Sequence, residues 1–243
     1  MVQAKPKADN FSMKAVRRAS NFLGRLRRNQ SGLALTEFAL SIPIFTGLGM
    51  YGTETAYRAV AQMQVSQAAL ALADNASRIG QTGNTGVQPT VQDSQIVEAL
   101  VGTRLQTDNL DLLENGRVIL SSLEVRTIGT GASARQQQYI RWQRCKGTRN
   151  FTSAYVSGIN TSNAAFTGVG PTRAVKAIEG SAVMYVEIQY AYQPLFGELF
   201  AEGVIINQEA AFTIRDDRNL AAGINNDMTP TTGAATCNKF DAT

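Results

Sequence analysis

The chain has 243 residues, 44% of them hydrophobic and 17% charged, which is enough for one globular domain with an appended segment. It contains no histidine, which excludes histidine-based triads, histidine general bases and most zinc or non-haem iron sites. Residues 1–32 carry eight basic residues and one acidic residue, whereas the remainder carries 15 basic and 18 acidic residues. The basicity therefore belongs to the N-terminal segment, and no nucleic-acid partner is expected for the body of the chain.

The basic leader, residues 1–32, precedes the one long apolar run of the sequence. No residue from Phe38 to Thr53 is charged. A run of this length can just cross about 30 Å of hydrocarbon at roughly 1.5 Å per residue if its ends snorkel. Because a basic flank stays in the cytoplasm, the sequence predicts that the chain beyond the run is exported. A disordered basic tail that binds anionic surfaces is the alternative for the leader.

A helical pattern continues beyond the apolar run. Apolar residues recur there at spacings of three and four, with polar residues such as Gln64 and Asp74 on the other side. These apolar positions are Ala61, Val65, Ala69, Leu72, Ala76 and Ile79. Residues 33–80 are therefore predicted to form one long helix with a membrane-spanning part and an amphipathic part. Pro43 removes one backbone hydrogen bond in the first part and is expected to permit a kink.

Glu37 places a carboxylate at the start of the apolar run. An ionised carboxylate without a partner is costly near hydrocarbon, so it should be paired, protonated or functional. If the chain were cut after Gly32, the new α-amine of Leu33 would lie one helical turn from Glu37. In a helical fibre, Glu37 of one subunit could then neutralise the amine of its neighbour and fix the axial register.

The segment QSGLALTEFALSIPIF, residues 30–45, has Gly before this cut, an apolar residue after it, Glu at the fifth position and Pro at the eleventh. In this pattern it resembles the type IV prepilin signal in the form found in the TadE-like family of pseudopilins and minor pilins. Residues 49–79 resemble the helix of that family. Stretches between residues 115 and 220, such as AVMYVEIQYAYQPLF, resemble successive strands of its exported domain.

The resemblance implies that a prepilin peptidase cuts between Gly32 and Leu33 and that Glu37 is the assembly carboxylate. It implies a structural protein, with no enzymatic activity and no cofactor, that assembles or primes a Tad-type adhesive pilus. The implied location is the bacterial inner membrane, with the C-terminal domain in the periplasm and a route into an extracellular pilus. The implied partners are the peptidase, other Tad pilins or pseudopilins and the pilus assembly platform.

The small residues Gly47, Gly49 and Gly52 are expected to allow lateral association with other helices in the membrane. A different class of function uses the same segment. In this alternative, the protein is a membrane-anchored periplasmic binding module whose loops capture a ligand, and the helix is an uncleaved anchor.

Residues 81–243 are predicted to form the exported α+β domain. A linker rich in Gly, Thr and Asn comes first. Thr90 and Asp93 then indicate a capping box for a short helix through about Leu100. Asn115-Gly116 indicates a turn before the first long strand.

Period-two patterns predict antiparallel strands at residues 117–128, near 139–143, at 182–192 and at 204–214. Ile119, Leu123 and Val125 are expected on one face of the first strand, and Ile140 and Trp142 on one face of the second, with Trp142 in the core. One face of the sheet should be apolar and the other exposed to solvent (a wet face). The apolar side of the helix at residues 55–79 is expected to pack on the apolar face. The predicted fold is therefore α+β, a long helix packed on an antiparallel sheet.

The two cysteines, Cys145 and Cys237, are far apart and form no CxxC motif, so no metal cluster or thioredoxin-like site is expected. In an exported domain such a pair is most simply one disulfide that clasps the C-terminal tail to the body. Two thiols, buried or free, are the alternative.

The candidates for a pair of hydrolase carboxylates are Glu187, Glu198, Glu202 and Glu209. Glu187 is expected on the wet strand face and the others beside an apolar turn, so solvated surface is the favoured interpretation. The acidic pair at residues 216–217 lacks the loop pattern of a calcium site, and no glycine-rich phosphate motif occurs. The sequence therefore predicts no catalytic residue and no metal site.

Overall fold

The computed structural model describes residues 21–25, 31–80, 88–155, 166–197, 202–215, 218–228 and 233–242. The chain divides into two compact units, Met1–Thr53 and Glu54–Thr243. Helix α1, Ser31–Arg78, begins in the first unit and contributes its C-terminal part to the second. The long helix predicted over residues 33–80 is therefore present, and Pro43 lies inside it.

The second unit contains a four-stranded antiparallel sheet with the order β3-β2-β4-β5. Its strands are β2 (Gly116–Ile128), β3 (Arg135–Lys146), β4 (Ala182–Ala191) and β5 (Ile205–Thr213). The elements outside this sheet are β1 (Val91–Gln92), α2 (Asp93–Gln106), α3 (Leu112–Asn115) and β6 (Ile224–Asn225). Strands β1 and β6 pair in parallel with each other. The predicted α+β class, a long helix with an antiparallel sheet, is confirmed.

Helix α2 begins later and ends later than the sequence predicts. Its N-cap is Gln92, whose backbone N–H donates to the side chain of Gln95 at 3.2 Å, so Thr90 does not cap it. Asp93 is instead buried in an ion pair with Arg144 at 2.5 Å. The Asp93 carboxylate therefore binds Arg144 and does not serve in the predicted capping box.

The turn predicted at Asn115-Gly116 is in fact the direct junction between α3 and β2. A Cβ atom at Gly116 would stand 2.7 Å from the backbone oxygens of both Leu112 and Gln189. Glycine is needed here because three stretches of backbone meet closely, and no hairpin is formed.

The C-terminal part of α1 packs on one face of the sheet and builds the main core. Its buried residues recur at three- and four-residue spacing, as predicted, and they are mostly alanines that allow close approach to the strands. The helix contributes Ala61, Val65, Ala68, Ala69, Leu72, Ala73 and Ala76. Alternate residues of β4 face them, from Ala182 through Met184 and Val186 to Tyr190. The apolar side of the helix, with a period of 3.6 residues, thus packs against alternate residues of the strand in one core layer.

The opposite face of the sheet is covered too, so the prediction of a wet face is wrong. Leu123, Ile140, Val183 and Tyr185 form a second core on that side. The connection between β3 and β4 folds back over them and supplies Tyr155, Phe166, Val169, Val175 and Ala177. Ile119, Leu123 and Val125 share a strand parity, as predicted, but this is the face away from α1. The helix covers Val118 and Leu120 instead.

A β-bulge in β3 places Ile140 and Trp142 in different cores, which corrects the prediction that they share a face. Ser122 pairs with Trp142 and Leu123 pairs with Ile140, so Arg141 is the extra residue. One inserted residue reverses the alternation of side chains beyond it. Trp142 therefore joins the core under α1, as expected for a core residue, while Ile140 joins the core on the other side.

The C-terminal tail is tied to the outer edge of β3. A disulfide joins Cys145 to Cys237. The backbone N–H groups of Cys145 and Gly147 donate to the carbonyls of Ala235 and Asp241, each at 2.8 Å. The disulfide pairing expected from the sequence is thus the one present, and the tail blocks part of an exposed strand edge.

Candidate functional site

The apolar part of α1 in the first unit has almost no protein cover. Nine large hydrophobic side chains from Leu33 to Tyr51 are between 44% and 75% exposed. By length and composition α1 is the one helix among the described residues that can cross a membrane, and none of its most apolar stretch is buried. An exposed apolar surface of this kind is typical of a membrane or protein contact. It is consistent with a single-pass membrane anchor.

Three hydroxyl groups in this segment form hydrogen bonds within the helix itself. Thr36 donates to the carbonyl of Leu33 at 2.8 Å, Ser41 to that of Phe38 at 2.9 Å and Thr53 to that of Gly49 at 2.9 Å. A hydroxyl bonded to a carbonyl of the preceding turn costs less in hydrocarbon than a free one. The positions of these hydroxyls within the predicted helix are visible in the sequence.

The structure places the predicted processing and assembly residues along one stretch of α1. Gly32, Leu33 and Glu37 are all helical, and Leu33 and Glu37 are one turn apart and exposed. A Cβ atom built at Gly32 would have no neighbour within 4 Å, and the same holds for the three glycines at positions 47, 49 and 52. The backbone is thus open to close approach along this segment.

Glu54, the first residue of the second unit, is a buried carboxylate that sequence analysis missed. The hydroxyl of Tyr192 donates to its Oε1 at 2.6 Å, and the backbone N–H groups of Leu195 and Phe196 donate to its Oε2 at 3.0 and 3.2 Å. Burial, followed by this carboxylate, raises the pKa of Tyr192 above its usual value. The carboxylate ties the loop after β4 to α1. The signal was available, because Glu54 is the first charge after the apolar run.

Glu187 is buried, so the prediction that it lies on a solvated strand face is wrong. The covering connection between β3 and β4 reaches it: the Ser153 hydroxyl and the Ala154 backbone N–H donate to its two carboxylate oxygens. Glu209 stands opposite Glu187 in the β4–β5 register and is exposed. Burial raises the pKa of Glu187, the two hydrogen bonds lower it, and the charge of Glu209 raises it further.

The other acidic candidates do not join this pair. Glu202 is exposed, and Glu198 and the acidic pair at 216–217 lie outside the described residues. Within the described part of the chain, no group of three or more Cys, Asp or Glu side chains is placed to hold a metal ion. Glu187 and Glu209 are therefore the two candidate carboxylates that the fold brings together.

Comparison with known proteins gives no assignment: no family model, no curated protein and no solved structure matches the chain significantly. The resemblance to the TadE-like family stays a prediction from the residues of the N-terminal segment and the strand pieces.

The raised pKa of Glu187 makes stability depend on pH with a defined sign. Because the folded chain holds this proton more tightly than the unfolded chain, the contribution of Glu187 is fully present below its usual pKa of 4.5 and is lost as pH rises through the folded-state value. Glu187→Gln mimics the protonated form. We expect the variant to match the native protein near about pH 4 and to become progressively more stable than it toward about pH 8.

Urea unfolding followed by the fluorescence of Trp142, the single tryptophan, measures this difference. Glu98→Gln, at an exposed position of α2, is the control and should show no pH-dependent difference. A stability difference between Glu187→Gln and the native protein that stays constant with pH would show that Glu187 titrates normally.

Proposed function

We propose that this chain is a structural subunit of the type IV pilin kind, a TadE-like pseudopilin or minor pilin. A prepilin peptidase removes residues 1–32, and the mature chain takes part in assembling or priming a Tad-type adhesive pilus. It has no enzymatic activity in this proposal. Its N-terminal helix lies in the bacterial inner membrane and its C-terminal domain in the periplasm.

The observation that carries the proposal is the opposite burial of the two parts of α1. From Leu33 to Tyr51 nine large apolar side chains are exposed, whereas from Ala61 to Ala76 the apolar stripe is 0–1% exposed beneath the sheet. A helix that builds the core of an exported domain with one part and offers an uncovered apolar surface with the other suits a subunit that is stored in a bilayer. The same surface then serves for packing against other subunit helices.

Three further features support a subunit role over a simple anchor. The hydroxyls of Thr36, Ser41 and Thr53 are bonded internally, so that part of the helix is adapted to an apolar medium. Its glycines leave the backbone open to a neighbouring helix. Glu37, the one charge between Leu33 and Thr53, stands one turn from the proposed new terminus. A plain anchor has no use for that charge, and it would weaken insertion.

The proposed processing predicts a mature N-terminus at Leu33. Gly32→Leu should reduce cleavage to less than about a tenth of the native extent, because the peptidase must accommodate the residue before the cut. A Cβ atom at this position would have no neighbour within 4 Å. Gly24→Leu is the matched control, since Gly24 is also helical with no neighbour within 4 Å, and it should be processed normally. Intact-mass measurement and N-terminal sequencing of the membrane fraction provide the result.

Cleavage should also persist when signal peptidase I is inhibited. An intact Met1 terminus in membranes that contain an active prepilin peptidase would contradict the pilin proposal. That result would favour the uncleaved, membrane-anchored binding module instead.

Glu37→Gln tests the assembly role separately from processing. Without the carboxylate, the α-amine of Leu33 in a neighbouring subunit has no counter-ion in an apolar environment, so we expect at least about a tenfold loss of the chain from sheared surface fibres or assembly complexes. Cleavage after Gly32 should continue. Glu98→Gln, which removes an exposed carboxylate from α2, is the control and should assemble normally. Native recovery of the processed Glu37→Gln chain would refute the charge-pairing role.

A further inference from the structure

A cleft of about 490 Å³ lies beside β5. One wall consists of five consecutive residues, 207–211, and the other contains Gly170, Pro171 and Val175 of the covering connection, with Tyr185 of β4 also in the lining. Side chains of a strand alternate between faces, so five consecutive lining residues mean that the cleft follows the strand backbone. Its shape therefore suits an extended chain.

Strand β5 is the last strand of the sheet and pairs on one side only, with β4. Among the described residues, its outward backbone groups are bonded to no other segment. The opposite edge of the sheet, β3, is partly closed by the C-terminal tail, as described above. An open strand edge is a template for a further strand supplied by a partner.

Tyr185 supplies an independent sign of a missing ligand group. Its side chain is 1% exposed, and its hydroxyl lies close to the Glu209 carboxylate and the Tyr155 side chain without forming a hydrogen bond of normal geometry to either. The ring is fixed edge-on to Tyr155, with the two ring centroids 5.6 Å apart. A buried hydroxyl that forms no well-aligned hydrogen bond is unfavourable, and a bound donor or acceptor would relieve it.

The charge beside this hydroxyl indicates the chemistry of the missing group. Glu209 lines the cleft, is exposed and stands opposite the buried Glu187. Tyr185 is opposite Ala211, two residues along the same strand. A group that donates hydrogen bonds and carries positive charge would satisfy both the carboxylate and the hydroxyl. Arg173 and Lys176 on the covering connection are exposed and positively charged. A peptide with many positive charges would be repelled by them, so the bound peptide is expected to carry one cation, placed against Glu209.

We propose that this cleft binds an extended peptide segment of a partner protein, which adds a strand along the outer edge of β5 and places a lysine or arginine side chain against Glu209 and the Tyr185 hydroxyl. The segment gains affinity from backbone hydrogen bonds and specificity from the cation. The proposal concerns the second unit alone and does not depend on processing at Gly32 or on the role of Glu37.

The test uses the full-length chain in detergent micelles and a fluorescent, end-capped hexapeptide of alternating valine and threonine with one central lysine. A second peptide has norleucine in place of the lysine. Fluorescence anisotropy should show saturable binding of the lysine peptide and at least about tenfold weaker binding of the norleucine peptide, because only the ammonium can pair with Glu209.

Two variants locate the site. Tyr185→Phe removes only a hydroxyl that forms no hydrogen bond of normal geometry, so its thermal midpoint should be no lower than that of the native protein. Glu209→Gln changes an exposed side chain. Each should weaken the lysine peptide by about tenfold and leave the norleucine peptide unchanged. Glu98→Gln removes the same charge from α2 and should leave both affinities unchanged.

The proposal is overturned if the lysine peptide fails to bind saturably, or if it binds no more tightly than the norleucine peptide. It is also overturned if Glu209→Gln binds the lysine peptide as the native chain does. Should Tyr185→Phe lower the thermal midpoint, Glu209→Gln alone decides the outcome, since its side chain is exposed.

Discussion

The structure depends on one constraint: a single helix must satisfy two different environments with one covalent sequence. In the second unit, α1 supplies a stripe of small apolar residues, from Ala61 to Ala76, that is completely buried against the sheet. Burying apolar surface is the main source of stability here, and alanine at most contact positions lets the helix backbone approach the strands closely. Glu54 secures the start of this unit, because its buried carboxylate collects three hydrogen bonds that fix the loop after β4. A helix that builds the core in this way cannot be removed without unfolding the domain.

The first unit is constrained differently. Most of its large apolar side chains are exposed, and the hydroxyls of Thr36, Ser41 and Thr53 bond to the preceding turn of the same helix. Such a surface needs lipid or other helices around it, which is why we propose a membrane-stored subunit. Glu37 gives that surface a second property, because one carboxylate in an otherwise uncharged stretch allows only specific pairings. The cleft beside β5 adds a second type of contact, made by backbone and one cation, which is independent of the first.

Much of this fold could be predicted from local periodicity. The long helix and the alternation of Ala182, Met184 and Val186 follow directly from the spacing of apolar residues, because each element repeats with its own period.

The wrong predictions have nonlocal causes. A bulge at Arg141 moved Ile140 and Trp142 into different cores, and no single-sequence pattern indicates an inserted residue of that kind. The sequence predicts a solvated Glu187 because its cover comes from a connection that looks polar in the sequence. It predicts a helix cap at Asp93, although Arg144, 51 residues away, binds this carboxylate. In each case a distant partner decided the environment.

The central claim is that the apolar surface from Leu33 to Tyr51 lies in lipid while the core beneath the sheet does not. Quenching of tryptophan fluorescence by brominated acyl chains tests it directly, with the full-length chain reconstituted in bilayers. Trp142, the only tryptophan and a buried one, reports on the second unit. Phe45→Trp in a Trp142→Phe background reports on the helix surface, where Phe45 is 72% exposed. The account predicts strong quenching for the Phe45→Trp protein and little for the native protein. Equal, weak quenching of both would contradict it.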